Sequence, residues 1–224
     1  MEEAPLPEER SVDPREIERL VIAGWTGRNV EALEKHIREL EALGVKRPKS
    51  TPIFYRVAAG LLTSARAIEV LGEHSSGEVE FVLLALSDGL WVAVGSDHTD
   101  RKAEAIGVSL SKQMCAKPIG SKAWRYHEIL PHWERLVLRA YAKRNGQRAL
   151  YQEGSVANMR TPDDLIVRYT GAGSLPVGTA MFCGTLAVHG EIGPAERFEV
   201  ELEDPVLGRK LSHAYDITTL PDEG

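Results

Sequence analysis

Short apolar runs separated by turn residues dominate the chain from Ile53 onward, and their length and spacing predict strands. The clearest runs cover residues 68–71, 79–86, 90–94, 180–182 and 198–202. Asp88-Gly89 separates two of these runs and predicts a tight hairpin, because glycine readily adopts the positive φ that such turns require. Most of the chain is therefore expected to be β-structure.

Helical patterns are confined to two stretches. Asn29 is suited to cap a helix that runs to Leu43, where Gly44 provides a C-terminal stop. A second helix is predicted over residues 131–145, which are rich in Leu, Arg, Ala and Lys. The pattern as a whole predicts an α+β fold with a strand-rich core and helices at its edges.

Three segments follow from these patterns. Residues 1–16 are rich in Pro and Glu and are predicted to be a flexible N-terminal arm. Residues 17–52 contain an N-terminal strand and the first helix, and residues 53–224 form the main strand-rich domain.

Composition narrows the possible partners. The chain of 224 residues has 33 acidic and 27 basic residues and a net charge of -6, which argues against a nucleic-acid partner. The acidic start is unlike a signal peptide, and the apolar runs are too short for a membrane span, so a cytoplasmic protein is expected. Cys115 and Cys183 match no disulfide or zinc pattern and are predicted to be buried, reduced thiols.

Glu78 and Glu80 are the first candidate functional residues. On a strand they lie on one face, which Val82 and Leu84 continue as apolar positions. Two carboxylates facing a core are costly without a counter-charge, and a divalent cation would supply it. Asp97 follows the next apolar run, where the hairpin returns. Three carboxylates suit Mg²⁺ or Mn²⁺, with Ca²⁺ as a further option.

The alternative reading of Glu78 and Glu80 is a solvated strand end without function. The following segment, residues 95–101, favours the metal site, since it brings acidic, hydroxyl and guanidinium groups into one loop after a strand.

These segments resemble the fumarylacetoacetate hydrolase-like enzymes, a family that includes acylpyruvate hydrolases, oxaloacetate decarboxylases and hydratase-isomerases. The resemblance is carried by Gly77-Glu78-Val79-Glu80-Phe81, Asp97-His98-Thr99-Asp100-Arg101, Ser111-Lys112-Gln113, residues 151–159, residues 178–185, Gly27-Arg28-Asn29 and His36-Ile37-Arg38-Glu39. It implies a mixed β-roll core with peripheral helices, a catalytic domain over residues 53–224 and commonly a homodimer.

The resemblance also assigns roles to residues. Metal ligands would be Glu78, Glu80 and Asp97, and catalytic residues would be His36, Glu39 and Lys112. Substrate-binding residues would be Thr99, Arg101, Gln152, Gly184 and Thr185. His36 and Glu39 lie three apart on the predicted lid helix and would form an acid-base pair.

Several positions leave alternatives open. Lys117 competes with Lys112 for the role of active-site lysine, and His98 is expected to lie in the core behind Asp97. Glu104 stands where many members of the family have a substrate-binding Gln, and its charge would repel an acidic group of the substrate. The spacing between Asn29 and His36 is also longer than usual, which weakens the lid assignment.

The function implied is a metal-dependent hydrolase that cleaves a carbon-carbon bond in a small anionic oxo-acid or diketo-acid, through an enolate that the ion stabilises. A decarboxylase, tautomerase or hydratase with the same enolate chemistry is the alternative within catalysis. A protein that binds a small anion through a metal without turnover is the alternative outside it.

Overall fold

A computed structural model describes residues 8–31, 34, 37–38 and 47–223. The strands are β1 (Glu9–Ser11), β2 (Arg19–Gly24), β3 (Ile53–Val57), β4 (Leu62–Thr63), β5 (Ala67–Leu71), β6 (Ser75–Ser76), β7 (Val79–Leu86), β8 (Gly89–Ser96), β9 (Thr99–Asp100), β10 (Lys117–Pro118), β11 (Lys122–Arg125), β12 (Val137–Arg144), β13 (Gln147–Ser155), β14 (Thr179–Phe182), β15 (Arg197–Asp204) and β16 (Arg209–Leu220). The helices are α1 (Arg101–Glu104), α2 (Val108–Met114), α3 (Tyr126–Ile129) and α4 (Pro162–Thr170). Short 3₁₀ turns occur at Pro14–Glu16, Ala59–Leu61, Leu130–Arg135 and Val156–Asn158.

Two mixed sheets form the body of the protein. A seven-stranded sheet has the order β1-β11-β8-β7-β14-β2-β3, and a five-stranded sheet has the order β13-β12-β15-β16-β5. Pairs β10-β4 and β6-β9 form two small additional sheets. The pairs β14-β2 and β16-β5 are parallel, whereas most other neighbours are antiparallel. This arrangement agrees with the predicted strand-rich α+β class.

The larger sheet buries both of its faces, which explains the nearly continuous apolar sequence of β7. Phe81 and Leu83 face the five-stranded sheet and share a core with Leu138 and Val200. Residues of the opposite parity, such as Leu84, belong to a second core on the other face. Since side chains alternate along a strand, Glu80 lies on this second face.

The predicted strands are confirmed. All five apolar runs lie within β5, β7, β8, β14 and β15. The hairpin at Asp88-Gly89 is also present, with Leu86 opposite Gly89 and a φ of 133° at Gly89. In the helix predicted after Asn29, residues 30–31, 34 and 37–38 are helical, and its predicted end at Leu43 lies outside the described residues.

The helix predicted over residues 131–145 is wrong. The stretch contains the 3₁₀ turn Leu130–Arg135 and then β12, which pairs with β13 and β15 on its two sides. Leu138, Ala140 and Ala142 are buried at every second position. Tertiary pairing therefore overrides the helix propensity of Leu, Ala, Arg and Lys, because propensity differences amount to less than about 1 kcal/mol per residue.

Strands from the first two predicted segments pair with strands of the main domain. Within residues 1–16, expected to form a flexible arm, β1 pairs antiparallel with β11. Arg10 on β1 forms ion pairs with Glu16 and Asp88 and lies beside the Trp91 ring. Strand β2 lies between β14 and β3, so residues 17–52 contribute to the same sheet as the main domain. Among the described residues, no helix is long and apolar enough to cross a membrane.

Candidate metal centre

Glu78, Glu80 and Asp97 converge at one end of the β7-β8 hairpin. Glu78 directly precedes β7 and Asp97 directly follows β8, and the backbone N–H of Asp97 donates to the Glu78 carbonyl at 3.0 Å. One carboxylate oxygen from each of the three residues lies within 4.8 Å of the other two. The predicted convergence is confirmed, and it follows from the hairpin register, which places Val79 opposite Ser96.

Glu80 is a buried carboxylate without an ion pair among the described residues. Its side chain is on the apolar face of the large sheet, and its Oε2 accepts a hydrogen bond from the Gly184 N–H at 2.6 Å. Burial, followed by the charges of Asp97 and Glu78, raises the pKa of the Glu80 carboxyl well above its ordinary value. A cation bound next to Glu80 would stabilise the ionised form of its carboxyl group.

Two lysines meet at the fully buried Asp97. Lys112 Nζ forms an ion pair with Asp97 Oδ2 and lies 3.6 Å from Glu78 Oε2. Lys117 Nζ lies 3.1 Å from Asp97 Oδ1 but donates its hydrogen bond to the His98 carbonyl at 2.6 Å. Burial would raise the pKa of the Asp97 carboxyl, but the two ammonium groups lower it to about 2. The structure thus brings both candidate lysines to this site, and only Lys112 also approaches a second carboxylate among the three.

Arg101 is held between two carboxylates. Its Nη2 donates to Glu78 Oε1 at 2.8 Å, and its Nη1 donates to Glu104 Oε2 at 3.0 Å. A third hydrogen bond goes from Nε to the Ser76 hydroxyl at 2.8 Å. Glu104, whose charge was expected to repel an acidic substrate, is therefore paired with Arg101, which it shares with Glu78. The guanidinium in turn fixes the direction of the Glu78 carboxylate.

Gln152 and Thr185 support the chain between the two glutamates. Gln152 Oε1 accepts from the Val79 N–H at 3.0 Å, and the Thr185 hydroxyl donates to the Val79 carbonyl at 2.8 Å. Gln152 Nε2 then donates to Thr185 Oγ1 at 2.8 Å and to the Leu186 carbonyl at 2.6 Å. Strand β14 ends at Phe182, so these two side chains make the hydrogen bonds to the Val79 backbone that a longer β14 would make. Contact of Gln152 and Thr185 with substrate stays a prediction, and here their polar groups hold Val79 in place.

Thr99 and Gly184 also donate hydrogen bonds to residues of the centre, Thr99 to a backbone carbonyl and Gly184 to a carboxylate. The Thr99 hydroxyl donates to the Asp97 carbonyl at 2.9 Å. Gly184 has a φ of 99°, and a Cβ there would lie 1.7 Å from Thr26 Oγ1. Only glycine fits this close approach, which aims the Gly184 N–H at Glu80.

A polar network lies behind the carboxylates. Tyr215 of β16 donates to the Ser96 hydroxyl at 2.8 Å, and Ser96 accepts from the Glu78 N–H at 3.2 Å. His98 contacts Tyr215 Oη at 3.0 Å and Ser75 Oγ at 2.9 Å. Burial lowers the pKa of His98 to about 3, so the ring is neutral. The expected core position of His98 agrees with these contacts, whereas Tyr215 carried no signal in the sequence because it lies far from Ser96 and His98 along the chain.

His36 and Glu39, the predicted catalytic pair, lie outside the described residues. Their part in the site stays a prediction.

The donor set fits a hard divalent ion. Three carboxylates supply oxygen, the ligand atom that Mg²⁺ and Ca²⁺ prefer. Asp97 Oδ1 is buried and has the Lys117 ammonium at 3.1 Å, without a hydrogen bond from the described residues. Glu78, Glu80 and Asp97 can therefore hold one ion, as predicted.

Comparison with known proteins identifies relatives at two levels. The sequence model of the family described as "Protein of unknown function (DUF2848)" matches residues 23–215. No curated protein matches this sequence.

Solved structures share the fold at low sequence identity. One is 2-keto-3-deoxy-D-arabinonate dehydratase complexed with magnesium and 2,5-dioxopentanoate, with a TM-score of 0.65, 17% identity and coverage of 92% of this chain and 75% of that one. Another is Cg1458 with inhibitor, with a TM-score of 0.65, 15% identity and coverage of 92% and 78%. A third is 4-oxalocrotonate decarboxylase from Pseudomonas putida G7 complexed with calcium and acetate, with a TM-score of 0.55, 14% identity and coverage of 94% and 78%. The fumarylacetoacetate hydrolase-like fold predicted from the motifs is confirmed.

Proposed function

The chain belongs to the family described as "Protein of unknown function (DUF2848)", and from this premise we propose that it is a metal-dependent enzyme acting on a small oxo-acid. The observation that carries the proposal is the convergence of Glu78, Glu80 and Asp97 within 4.8 Å, with Glu80 buried and outside any ion pair of the described residues. Such a carboxylate is costly in a purely structural role. Binding a divalent ion would give the Glu80 carboxylate a function.

Charge indicates the class of ligand. Four negative charges come from the carboxylates of Glu78, Glu80, Asp97 and Glu104. Three basic side chains lie among them, Arg101, Lys112 and Lys117. With a divalent ion, these seven described groups together carry one positive charge in excess. A ligand with a single carboxylate would neutralise it, and the cationic groups surrounding the site favour an anion.

The metal ion and the side chains have different roles in the proposed reaction. A divalent ion bound there would polarise the carbonyl of an oxo-acid and stabilise the enolate charge that develops when an adjacent bond breaks. Lys112 reaches the same carboxylates from one side and is placed to bind an anionic oxygen of the substrate. Arg101 remains fixed by Glu78 and Glu104 and keeps the local charge positive.

The reaction class is proposed as hydrolysis of a carbon-carbon bond, with decarboxylation or dehydration as the second candidate. Hydrolysis requires His36 and Glu39 to activate water. The second candidate is favoured by two neighbours of the same fold, whose names are a dehydratase and a decarboxylase. The homodimer and the cytoplasmic location stay predictions.

A substrate panel tests the proposal. The protein would be incubated with oxo-acids and diketo-acids in the presence of Mg²⁺ or Mn²⁺, and the products identified by mass spectrometry. Turnover that disappears on chelation and in Asp97→Asn is the expected result. Release of a carboxylic acid without CO₂ identifies hydrolysis, and release of CO₂ or water identifies the second candidate.

Two outcomes contradict the proposal. Binding of oxo-acids without any product would indicate a binding protein. Unchanged activity after removal of the metal, or in Asp97→Asn, would exclude the metal centre from the reaction.

A further inference from the structure

Lys117 is a cation whose backbone is fixed against the metal centre. It begins β10, which pairs with β4, and Ile119, two residues later, forms a bridge with Gly95 of β8. A Cβ at Gly95 would lie 2.9 Å from the Pro118 carbonyl oxygen, so glycine permits this close approach. Gly95 precedes Asp97 by two residues, and the contact therefore sets Lys117 beside that carboxylate.

The Lys117 side chain is held at its charged end. Its Nζ donates to the His98 carbonyl at 2.6 Å and lies 3.1 Å from Asp97 Oδ1. The side chain is completely buried. Because no part of it reaches solvent, the charge of Lys117 is a fixed part of the site.

This charge exceeds what the neighbouring carboxylates require. Asp97 carries one negative charge and already forms an ion pair with Lys112. Glu78 is paired with Arg101 at 2.8 Å. A buried charge without a counter-charge of its own is costly. The structural needs of Asp97 thus explain one ammonium group but not the second.

The surplus charge acts in opposite ways on a cation and on an anion. An ion bound by the Asp97 carboxylate would share that carboxylate with the Lys117 ammonium group, and like charges repel strongly where water is excluded. An anion that binds to the ion is attracted by the same ammonium group. Lys117 therefore opposes the binding of the ion alone and favours the binding of the anion.

We infer that Lys117 makes metal binding conditional on the anionic ligand. Its charge weakens the binding of a divalent ion to the unliganded site and strengthens the binding of a small oxo-acid anion once the ion is present. The inference rests on the proposed function, in which Glu78, Glu80 and Asp97 hold the ion that the oxo-acid contacts. The ion and the oxo-acid then occupy the site together.

Calorimetry on the wild-type protein tests whether the two ligands assist each other. The probe is oxamate, which has one carboxylate next to a carbonyl and no carbon from which an enolate could form. Oxamate should tighten Mg²⁺ binding at least about tenfold, and Mg²⁺ should tighten oxamate binding by the same factor, because such linkage is reciprocal. Oxamide, the neutral counterpart, should change the Mg²⁺ affinity less than about twofold, since it carries no charge.

Lys117→Met and Lys117→Gln test the part that Lys117 has in this behaviour. Both remove the charge, and the Gln amide retains a hydrogen-bond donor. In each variant Mg²⁺ alone should bind at least about tenfold more tightly, because the repulsion is lost. Oxamate should bind the Mg²⁺-loaded variant at least about threefold more weakly, because the attraction is lost. Structural damage would weaken both ligands, so the opposite signs are specific to the charge.

Lys122→Met is the matched control. Lys122 is exposed on β11, and its Nζ lies 3.5 Å from Glu9. Its substitution should alter neither affinity by more than about twofold.

The outcomes separate the inference from the proposed function. The inference is overturned if oxamate does not tighten Mg²⁺ binding, or if the variants change neither affinity or change both in the same direction. Chelator-sensitive turnover of an oxo-acid would still support the proposed function in those cases. Failure of both variants to fold by circular dichroism would also overturn the inference, because the structure itself would then require Lys117. Absence of Mg²⁺ binding to the wild-type protein, with and without oxamate, would overturn the proposed function and the inference together.

Discussion

Lys112 and Asp97 form an ion pair in the interior of the candidate metal centre. The ammonium group also lies 3.6 Å from Glu78, so it occupies a position between two of the three converging carboxylates. The negative charges of Asp97 and Glu78 outweigh burial and raise the pKa of the Lys112 ammonium above its ordinary value. A divalent ion and Lys112 therefore share the same carboxylates.

Lys112→Met should lower stability more in the metal-free protein than in the metal-bound one. The substitution keeps most of the packing of the stem but leaves Asp97 with Lys117 as its cation. Breaking a buried ion pair costs on the order of 3 kcal/mol. Urea unfolding with and without Mg²⁺ measures the two losses of stability. The turnover of Lys112→Met should fall at least about a hundredfold.

Lys102→Met is the matched control for Lys112→Met. Lys102 is exposed and pairs with Asp222 at 3.6 Å, so its loss should alter neither stability nor turnover appreciably. Normal turnover in Lys112→Met would transfer the catalytic role to Lys117 or remove it from both lysines.

Metal binding should strengthen as pH rises through the raised pKa of Glu80. The ion binds the ionised carboxylate, so binding releases a proton wherever Glu80 is protonated in the metal-free protein. A carboxyl with a raised pKa favours folding at low pH, and this contribution is lost as pH rises through that pKa. The metal-free protein should lose stability over this range, whereas the Mg²⁺-bound protein should not.

Calorimetry in buffers of different ionisation enthalpy measures the released proton. Glu80→Gln should abolish the release and weaken Mg²⁺ binding at least about a hundredfold, since even supporting residues of metal sites cost ten to a hundredfold. The amide oxygen of the substituted side chain can still accept from the Gly184 N–H, so the variant should fold. A proton release that persists in Glu80→Gln would assign it to another group.

Gly184→Ala should destabilise the protein more than Gly190→Ala. Both glycines have positive φ, 99° and 84°, but only at Gly184 would the new Cβ collide with Thr26. The comparison isolates the close approach, because the strain from φ is common to both. An extra loss of about 1 to 3 kcal/mol is expected in urea unfolding. Equal losses would show that Thr26 moves aside without cost.

Tyr215→Phe should weaken Mg²⁺ binding although Tyr215 touches none of the three carboxylates. Its hydroxyl contacts Ser96 and His98, which flank Asp97 on the chain, and Ser96 in turn accepts from the Glu78 N–H. Leaving a buried polar group without its hydrogen-bond partner costs about 1 to 3 kcal/mol. The affinity, measured by calorimetry, should fall about tenfold.

Tyr141→Phe provides the comparison for Tyr215→Phe. Tyr141 lies on β12 beneath Arg148, away from Ser96 and His98. Its variant should bind Mg²⁺ as tightly as the wild-type protein does. Equal affinity in both variants would show that the hydroxyl of Tyr215 serves folding alone.

The metal centre was predictable because its determinants are local. Glu78 and Glu80 share a face through the two-residue period of a strand, and the turn at Asp88-Gly89 returns the chain to Asp97. Side-chain partners such as Arg101 followed from family motifs. The contacts that Arg101 makes, with Glu78 and Glu104, depend on where α1 begins after β9.

The failures arose where non-local pairing decides the structure. Residues 137–144 contain Leu, Ala, Arg and Lys, which favour helix, but β13 and β15 offer hydrogen bonds on both edges and a core on one face. Residues 9–11 carry almost no apolar surface, yet β11 offers a free edge, which their backbone satisfies.

The sequence alone determined the strand content, the β7-β8 hairpin and the three converging carboxylates, because each depends on residues within about one hairpin of chain, where periodicity and turn chemistry act. Only the tertiary structure decided that Lys112 and Lys117 both meet Asp97 and that Tyr215 supports Glu78. These relationships join strands distant in sequence. They follow from sheet order and register, which burial of both faces of the large sheet imposes on the whole chain.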